Sequence, residues 1–273
     1  MAFSLKNIFG NKGIEGDTVK TEAPKMTPAE EAWDLAKTVF FAVGIALVLR
    51  VIVFQPFNIP SGSMKPNLLV GDFLVVSKPT FGYSRASLVY PLTRLPLEGR
   101  IFSGIPDRGD VVVFKNRKDG NKDYIKRVIG MPGDEVRFIS GRLHINGAAV
   151  KKEFVGNVGT PDCAGFVGPA PVYRETLDNG VSYVVQECSG DNARLDNVGP
   201  YQVPTDHFLM IGDNRDASED SRVISAVGYI HKDDIVGRAE RLFFSVDGQK
   251  AQFWQVWKWP FAIRYGRVLD EIE

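Results

Sequence analysis

The stretch NIPSGSMKPNLLVGDFLVV, Asn58 to Val76, sets two serines, Ser61 and Ser63, around one glycine. A serine hydroxyl is a weak nucleophile and acts only with a base beside it. The chain holds three histidines, His144, His207 and His231. A Ser-His-Asp triad can be assembled from any sequence order. Yet His144 falls in a hairpin strand, and the other two fall near strand ends among charged residues. None sits in a stretch that looks built around a site.

The other base open to a serine is a neutral lysine. Lysine in water has a pKa of about 10.4, and apolar burial lowers it by up to roughly 3 to 5 units. The run DYIKRVIGMPGD offers Lys126, flanked by Ile125, Val128 and Ile129. Strand alternation puts Tyr124, Lys126 and Val128 on one face and Arg127 on the other. On this pattern alone an ordinary edge lysine is the stronger reading of Lys126. A second polar run, IGDNRDASEDSR (Ile211 to Arg222), is dense in Asp, Asn and Arg. It fits a calcium loop poorly, because Arg215 replaces a ligand and the loop glycine is missing. It reads better as a network of paired charges pinning a loop beside a site, with Ser218 placed to orient a lysine amine.

The elements that position these residues follow from pattern. Thr38 to Phe54 is apolar on every face apart from Arg50, and Pro56 stops a helix. A bilayer core takes roughly 20 helical residues, about 17 at the short end. A buried core helix and a cleaved signal peptide are the competing readings. The second is opposed by the long polar leader and by the absence of a small-x-small site. Lys6, Lys12, Lys20, Lys25 and Lys37 precede the segment, and no basic residue follows Arg50 until Lys65. The positive-inside rule therefore puts the N-terminus in the cytoplasm and the large domain outside. The leader, rich in Lys, Glu, Gly and Thr, reads as mostly disordered.

Beyond Pro56 the pattern is of short β-branched runs bounded by turn residues, with Ser140-Gly141 and Asn146-Gly147 as hairpin turns. The fold class is mainly β: twisted antiparallel sheets forming a catalytic β domain with an inserted β-hairpin subdomain, after one transmembrane helix. The expected divisions are a tail over 1–36, the membrane helix over 37–55, the catalytic domain over 56–134 and 205–248, the insertion over 135–204, and a C-terminal segment over 249–273. The C-terminal run FWQVWKWPFAIRYGRV reads as an element packed on the core. It also reads as an amphipathic surface helix broken at Pro260, with Trp254, Trp257 and Trp259 at the bilayer interface.

The 273 residues carry no net charge, which gives no support for nucleic-acid binding. Two cysteines, Cys163 and Cys188, cannot make a structural zinc site. They are either two unrelated buried thiols or one disulfide outside the cytosol. No metal or cofactor is expected.

Taken in order, the apolar segment, PSGSMKP…GDFLVV, RGDVVVF, DYIKRVIGMPGD and GDNRDASEDSR resemble the successive blocks of bacterial type I signal peptidases. The resemblance runs from the membrane segment to about Phe244. It implies a serine endopeptidase with a Ser-Lys dyad that removes signal peptides after small residues at −1 and −3. Ser63 corresponds to the nucleophile and Lys126 to the general base. Ser61 corresponds to the hydroxyl that supports the oxyanion, and Ser218 to the serine that orients the lysine. Arg127, Asp213, Asp220 and Arg222 match structural ion pairs. Phe57, Ile59, Leu68, Tyr124 and Ile125 are the candidate walls of the substrate pockets. Ala217 and Asn67 depart from the Asn and Thr common at those places. The implied partners are preproteins with signal peptides, the phospholipid bilayer and the secretion translocon. The implied location is the bacterial inner membrane, single-pass, with the catalytic domain on the periplasmic face. Two other readings remain. A self-cleaving Ser-Lys repressor protease would carry a DNA-binding domain in place of the apolar segment. A membrane-tethered scaffold with a dead site would not cleave a preprotein.

Overall fold

A computed structural model describes residues 27–88, 92–94, 98–102, 104–159, 163, 168–190, 193–248 and 255–272. The chain divides between Ile45 and Ala46 into two units. Helix α1 spans Pro28–Ile52, and its described side chains are exposed along nearly all of that length. It begins well before the expected start at Lys37. The cause is a capping box: Thr27 Oγ1 accepts from the Glu30 N–H at 3.4 Å, and Glu30 Oε2 accepts from the Thr27 N–H at 2.7 Å. Pro28 stands at the first helical turn, where proline loses nothing. From Pro28 to Arg50 the helix is long and apolar enough to cross a membrane. The leader, residues 1–26, lies outside the described residues.

The strands follow in chain order. β1 (Phe54–Asn58), β2 (Asp72–Ser77), β3 (Tyr83–Ser84), β4 (Arg100–Ile101), β5 (Val111–Asn116) and β6 (Lys122–Gly130) come first. β7 (Glu135–Ile139), β8 (Arg142–Ile145), β9 (Ala148–Ala149), β10 (Lys151–Val158), β11 (Ala170–Thr176), β12 (Ser182–Gln186) and β13 (Val198–Gln202) come next. β14 (His207–Ile211), β15 (Ile230–His231) and β16 (Ile235–Ser245) complete the set. Seven strands form one antiparallel sheet in the order β1-β2-β16-β5-β6-β14-β15. β1 is its edge, which is where Pro56, lacking an N–H, is tolerated in a strand.

The two faces of this sheet carry different cores. Register pairs Val112 with Lys126 and Phe114 with Tyr124. Val112, Phe114 and Val128 pack with Phe208 and Met210, and Tyr124 lies against them. Val111 and Val113 pack on the other face with Ile59, Leu68, Leu74 and Val76. β7 to β13 pair among themselves, as a four-stranded sheet β13-β7-β8-β9 and a three-stranded sheet β10-β11-β12. A third core joins them to the large sheet through Val136, Leu143, Val185, Ile129 and Ile211. The turns at Ser140-Gly141 and Asn146-Gly147 have both residues at positive φ, between 47° and 83°, as a two-residue hairpin of this twist requires.

The C-terminal segment is not one amphipathic helix. It holds a four-residue helix α2 (Trp259–Ala262) with Pro260 in its first turn. Its end then pairs with β16, through Leu242 N–H to Asp270 O at 2.9 Å and Ile272 N–H to Glu240 O at 3.0 Å. Trp259 contacts Phe244 at 6.5 Å between ring centroids, Trp257 is exposed, and Trp254 lies outside the described residues.

Candidate active site

Ser63 lies in the loop between β1 and β2, and Lys126 lies mid-way along β6. Their side chains meet: Lys126 Nζ is 2.6 Å from Ser63 Oγ. Nζ also donates to Ile125 O at 3.0 Å and lies 5.7 Å from the Tyr124 ring centroid. Lys126 is 3% exposed, and among the described residues no carboxylate bonds its amine. Burial therefore pulls its pKa from 10.5 down to about 8, although the charges of Asp220 and Asp213 pull partly the other way. A lysine at that value is neutral in a useful fraction of molecules near neutral pH, which is what a base must be. Ser61 Oγ lies 3.4 Å from Ser63 Oγ. Ser63 N–H makes no hydrogen bond among the described residues. A donor left open beside a nucleophile is the raw material of an oxyanion hole.

Behind the amine lies a layer of paired charges. Arg127, on the opposite face of β6, binds Asp213 with both fork nitrogens, at 2.9 and 2.8 Å, and sits over Tyr183 at 4.1 Å. Arg222 pairs with Asp220 at 2.9 Å, and Asp220 also accepts the Gly212 N–H at 3.0 Å. Burial pushes the Asp220 carboxyl up, but the Arg222 charge and these hydrogen bonds outweigh it and hold the group below its usual value. Arg215 pairs with Glu175 of β11 at 2.9 and 2.5 Å, and Tyr183 donates to the same carboxylate at 2.9 Å.

The loop between β14 and β15 wedges against Ser63. A methyl built on Gly212 would lie 2.1 Å from Ser218 Oγ and 2.5 Å from Ser63 O, so only glycine lets these groups converge. Ser218 is buried here, with its hydroxyl near enough to the Asp220 carboxylate to help hold that group down, but it makes no hydrogen bond to Lys126 among the described residues. The orienting bond expected of it is therefore not made in this structure.

The candidate substrate walls divide. Phe57, Tyr124 and Ile125 are half-buried and retain surface. Ile59 and Leu68 are 3% and 1% exposed, packed in the core beneath the loop, and present no face to an incoming chain. Apolar type marked them, but type alone does not separate a pocket wall from the core behind it.

Several contributors were given no supporting role from sequence. Asn67 donates to Asp213 Oδ2 at 2.7 Å and to Val184 O at 2.8 Å, tying the Ser63 loop to the ion pair. Asn214 donates through Nδ2 to Gly62 O and through its backbone N–H to Ser63 O, both at 3.1 Å. Glu175, Tyr183 and Gln186 reach the site from the region read as the inserted subdomain. Cys163 and Cys188 form a disulfide there, with Cα atoms 6.2 Å apart. Asp216 accepts the N–H groups of Cys188 and Ser189 at 2.6 and 2.7 Å, joining the bridge to the catalytic loop. The histidines lie elsewhere. His207 and His231 face each other across β14 and β15, and His144 bonds Arg142 O.

A buried amine of lowered pKa against a serine hydroxyl is the arrangement a lysine-assisted serine hydrolase needs. Comparison with known proteins gives the family. The profile described as "Signal peptidase, peptidase S26" matches residues 32–244. Signal peptidase I of Rickettsia akari (strain Hartford) is 34% identical over 247 residues, covering 88% of this chain and 87% of its own. Signal peptidase I of Rickettsia typhi (strain ATCC VR-144 / Wilmington) is 36% identical over 211 residues, covering 75% and 77%. A solved signal peptidase I from Enterococcus faecalis V583 is 19% identical, with a TM-score of 0.29, covering 50% of this chain and 97% of that one. The chain belongs to the signal peptidase family, peptidase S26. It is a serine endopeptidase of a membrane-associated family that removes signal peptides from preproteins.

Proposed function

We propose that this chain cleaves signal peptides from exported preproteins with Ser63 as nucleophile and neutral Lys126 as general base. The observation that carries this reading is the 2.6 Å contact between Lys126 Nζ and Ser63 Oγ inside a desolvated pocket. The amine takes the Ser63 proton as Oγ attacks the scissile carbonyl carbon. The oxyanion is met by the Ser63 N–H and the Ser61 hydroxyl. The protonated amine then gives its proton to the departing amine of the mature protein. Water, activated by the neutral amine, releases the acyl group and restores both residues. Ser218, buried on the loop that carries Gly212 and Asp220, is the hydroxyl placed to aim the amine. Arg127, Asp213, Asp220 and Arg222 hold the supporting loop.

The substrate chain adds as a strand beside β1, the open edge of the sheet. Phe57, Tyr124 and Ile125 border shallow pockets that admit small residues at −1 and −3. Helix α1 anchors the enzyme once in the bacterial inner membrane, with the N-terminus cytoplasmic and the catalytic region outside, where the Cys163–Cys188 bridge persists. There it works beside the bilayer and the secretion translocon.

The test is preprotein cleavage by the full chain in detergent. Ser63→Ala and Lys126→Met are each expected to abolish processing, by about 10⁴-fold or more. Replacing His144, His207 and His231 together is expected to leave most activity. Loss of activity in that triple variant, with circular dichroism unchanged, contradicts the dyad.

A further inference from the structure

We infer that Asn214 is a positioning residue that holds and polarises the Gly62–Ser63 peptide, the unit whose N–H meets the oxyanion. The inference rests on Ser63 being the nucleophile. A trans peptide is planar, so its C=O and N–H point in opposite directions. Whatever fixes the carbonyl of Gly62 therefore fixes the N–H of Ser63. That carbonyl accepts two hydrogen bonds, from Asn214 Nδ2 at 3.1 Å and from the Lys65 N–H at 3.1 Å. Donors on a peptide oxygen draw charge toward it and make the N–H of the same unit a stronger donor. The next carbonyl, Ser63 O, accepts the Asn214 backbone N–H at 3.1 Å. One fully buried residue thus grips both carbonyls that bracket the nucleophile, while the Ser63 N–H stays open on the far side.

Asn214 is itself held firmly. It bridges Gln186 in parallel fashion, with Gln186 N–H to Asp213 O and Arg215 N–H to Gln186 O, both at 2.9 Å. Asp213, one residue earlier, is fixed by Arg127. Glycine at 212 leaves room for this approach, because a Cβ there would lie 2.5 Å from Ser63 O. The arrangement sets the oxyanion donor before substrate arrives, so little reorganisation is left for the reaction itself.

The measurement is steady-state cleavage of a short signal-peptide substrate by full-length Asn214→Ala in detergent. It is paired with binding of two probes. One is a peptide aldehyde, whose hemiacetal oxygen occupies the oxyanion position. The other is an uncleavable peptide with a reduced scissile bond. The expected result is a kcat loss of roughly 10- to 100-fold, smaller than for a direct oxyanion donor, with KM little changed. The aldehyde weakens by the same factor, and the reduced peptide binds as before. Asn214→Ser, which like alanine keeps the backbone N–H to Ser63 O and loses the amide donor to Gly62 O, is expected to behave alike and serves if the alanine variant does not fold. Unchanged kcat, or equal weakening of both probes, overturns the inference. Ser63→Ala and Lys126→Met run in parallel. Activity surviving in those would sink the dyad instead, so the two failures are distinct.

Discussion

Lys126 and Arg127 are neighbours on one strand, and both are buried, at 3% and 0% exposure. Their fates are opposite. Burial works against the charge on Arg127, but Asp213, bound on two nitrogens, more than offsets it and raises the guanidinium further. Lys126 has a hydroxyl and a carbonyl for company, and its pKa falls to about 8. Burial sets the cost of a charge, and pairing decides whether the charge stays. Strand alternation lets two adjacent residues take different sides of that rule. The side with the ion pair holds the loop in place, and the side without it sets an amine of lowered pKa against Ser63.

The comparison breaks most clearly in stability. Lys126→Met is expected to stabilise the fold at pH 7. The gap between 10.5 and about 8, at about 1.36 kcal/mol per unit, gives up to about 3 kcal/mol. Arg127→Met leaves Asp213 buried without its partner and is expected to destabilise by about 3 to 5 kcal/mol. Urea unfolding of both variants reads the difference, and equal signs would contradict the contrast. The pH dependence has a definite direction. The unfolded chain holds the lysine proton up to 10.5, and the folded chain only to about 8. Between these values the unfolded state binds more protons, so the Lys126 contribution raises stability with pH across that window and is flat below it. Lys78, also fully buried and lowered to about 8, adds a rise of the same sign. The wild type minus Lys126→Met difference isolates the catalytic lysine.

Gly212→Ala is next in size. The new methyl would meet a backbone oxygen at 2.5 Å, which cannot swing aside as a side chain can. The expected cost is about 1 to 3 kcal/mol in stability, with a fall in kcat well beyond what that loss explains, because Ser63 O must retreat. A variant with normal kcat would show that the wedge between the loops is not needed. Smaller still is Glu219→Gln. Glu219 is exposed, and its charge pulls the Lys126 pKa slightly upward. Removing it is expected to move the acidic limb of kcat/KM down by a few tenths of a pH unit, with screening by salt shrinking the shift.

How much of this was readable depends on distance along the chain. Ser61, Ser63 and Lys126 stand in local runs whose types and alternation point at chemistry, and the faces of β6 follow from period two. The helix was readable by its apolar stretch, but its true start was not taken from the Thr27–Glu30 capping signal, which lies in polar chain. Asn214 was read as one polar residue among several, because its partner Gly62 lies 152 residues away. Asn67 stood out only as a departure, and its bond to Asp213 spans 146 residues. The supports from Glu175 and Tyr183 were hidden in hairpins that carry no chemistry of their own, and the disulfide stood as one of two readings of Cys163 and Cys188. Ile59 and Leu68 show the converse: apolar residues next to a nucleophile that belong to the core.

The central claim is that a buried, neutral lysine activates Ser63. Its most direct measurement is kcat/KM from pH 5 to 11, on detergent-solubilised full-length enzyme with a short signal-peptide substrate. Lys126 predicts activity that rises through an acidic limb near pH 8. A limb that titrates only near the free-lysine value of about 10.4 would contradict it. So would an imidazole-like limb near about 6.5 that disappears when His144, His207 or His231 is replaced.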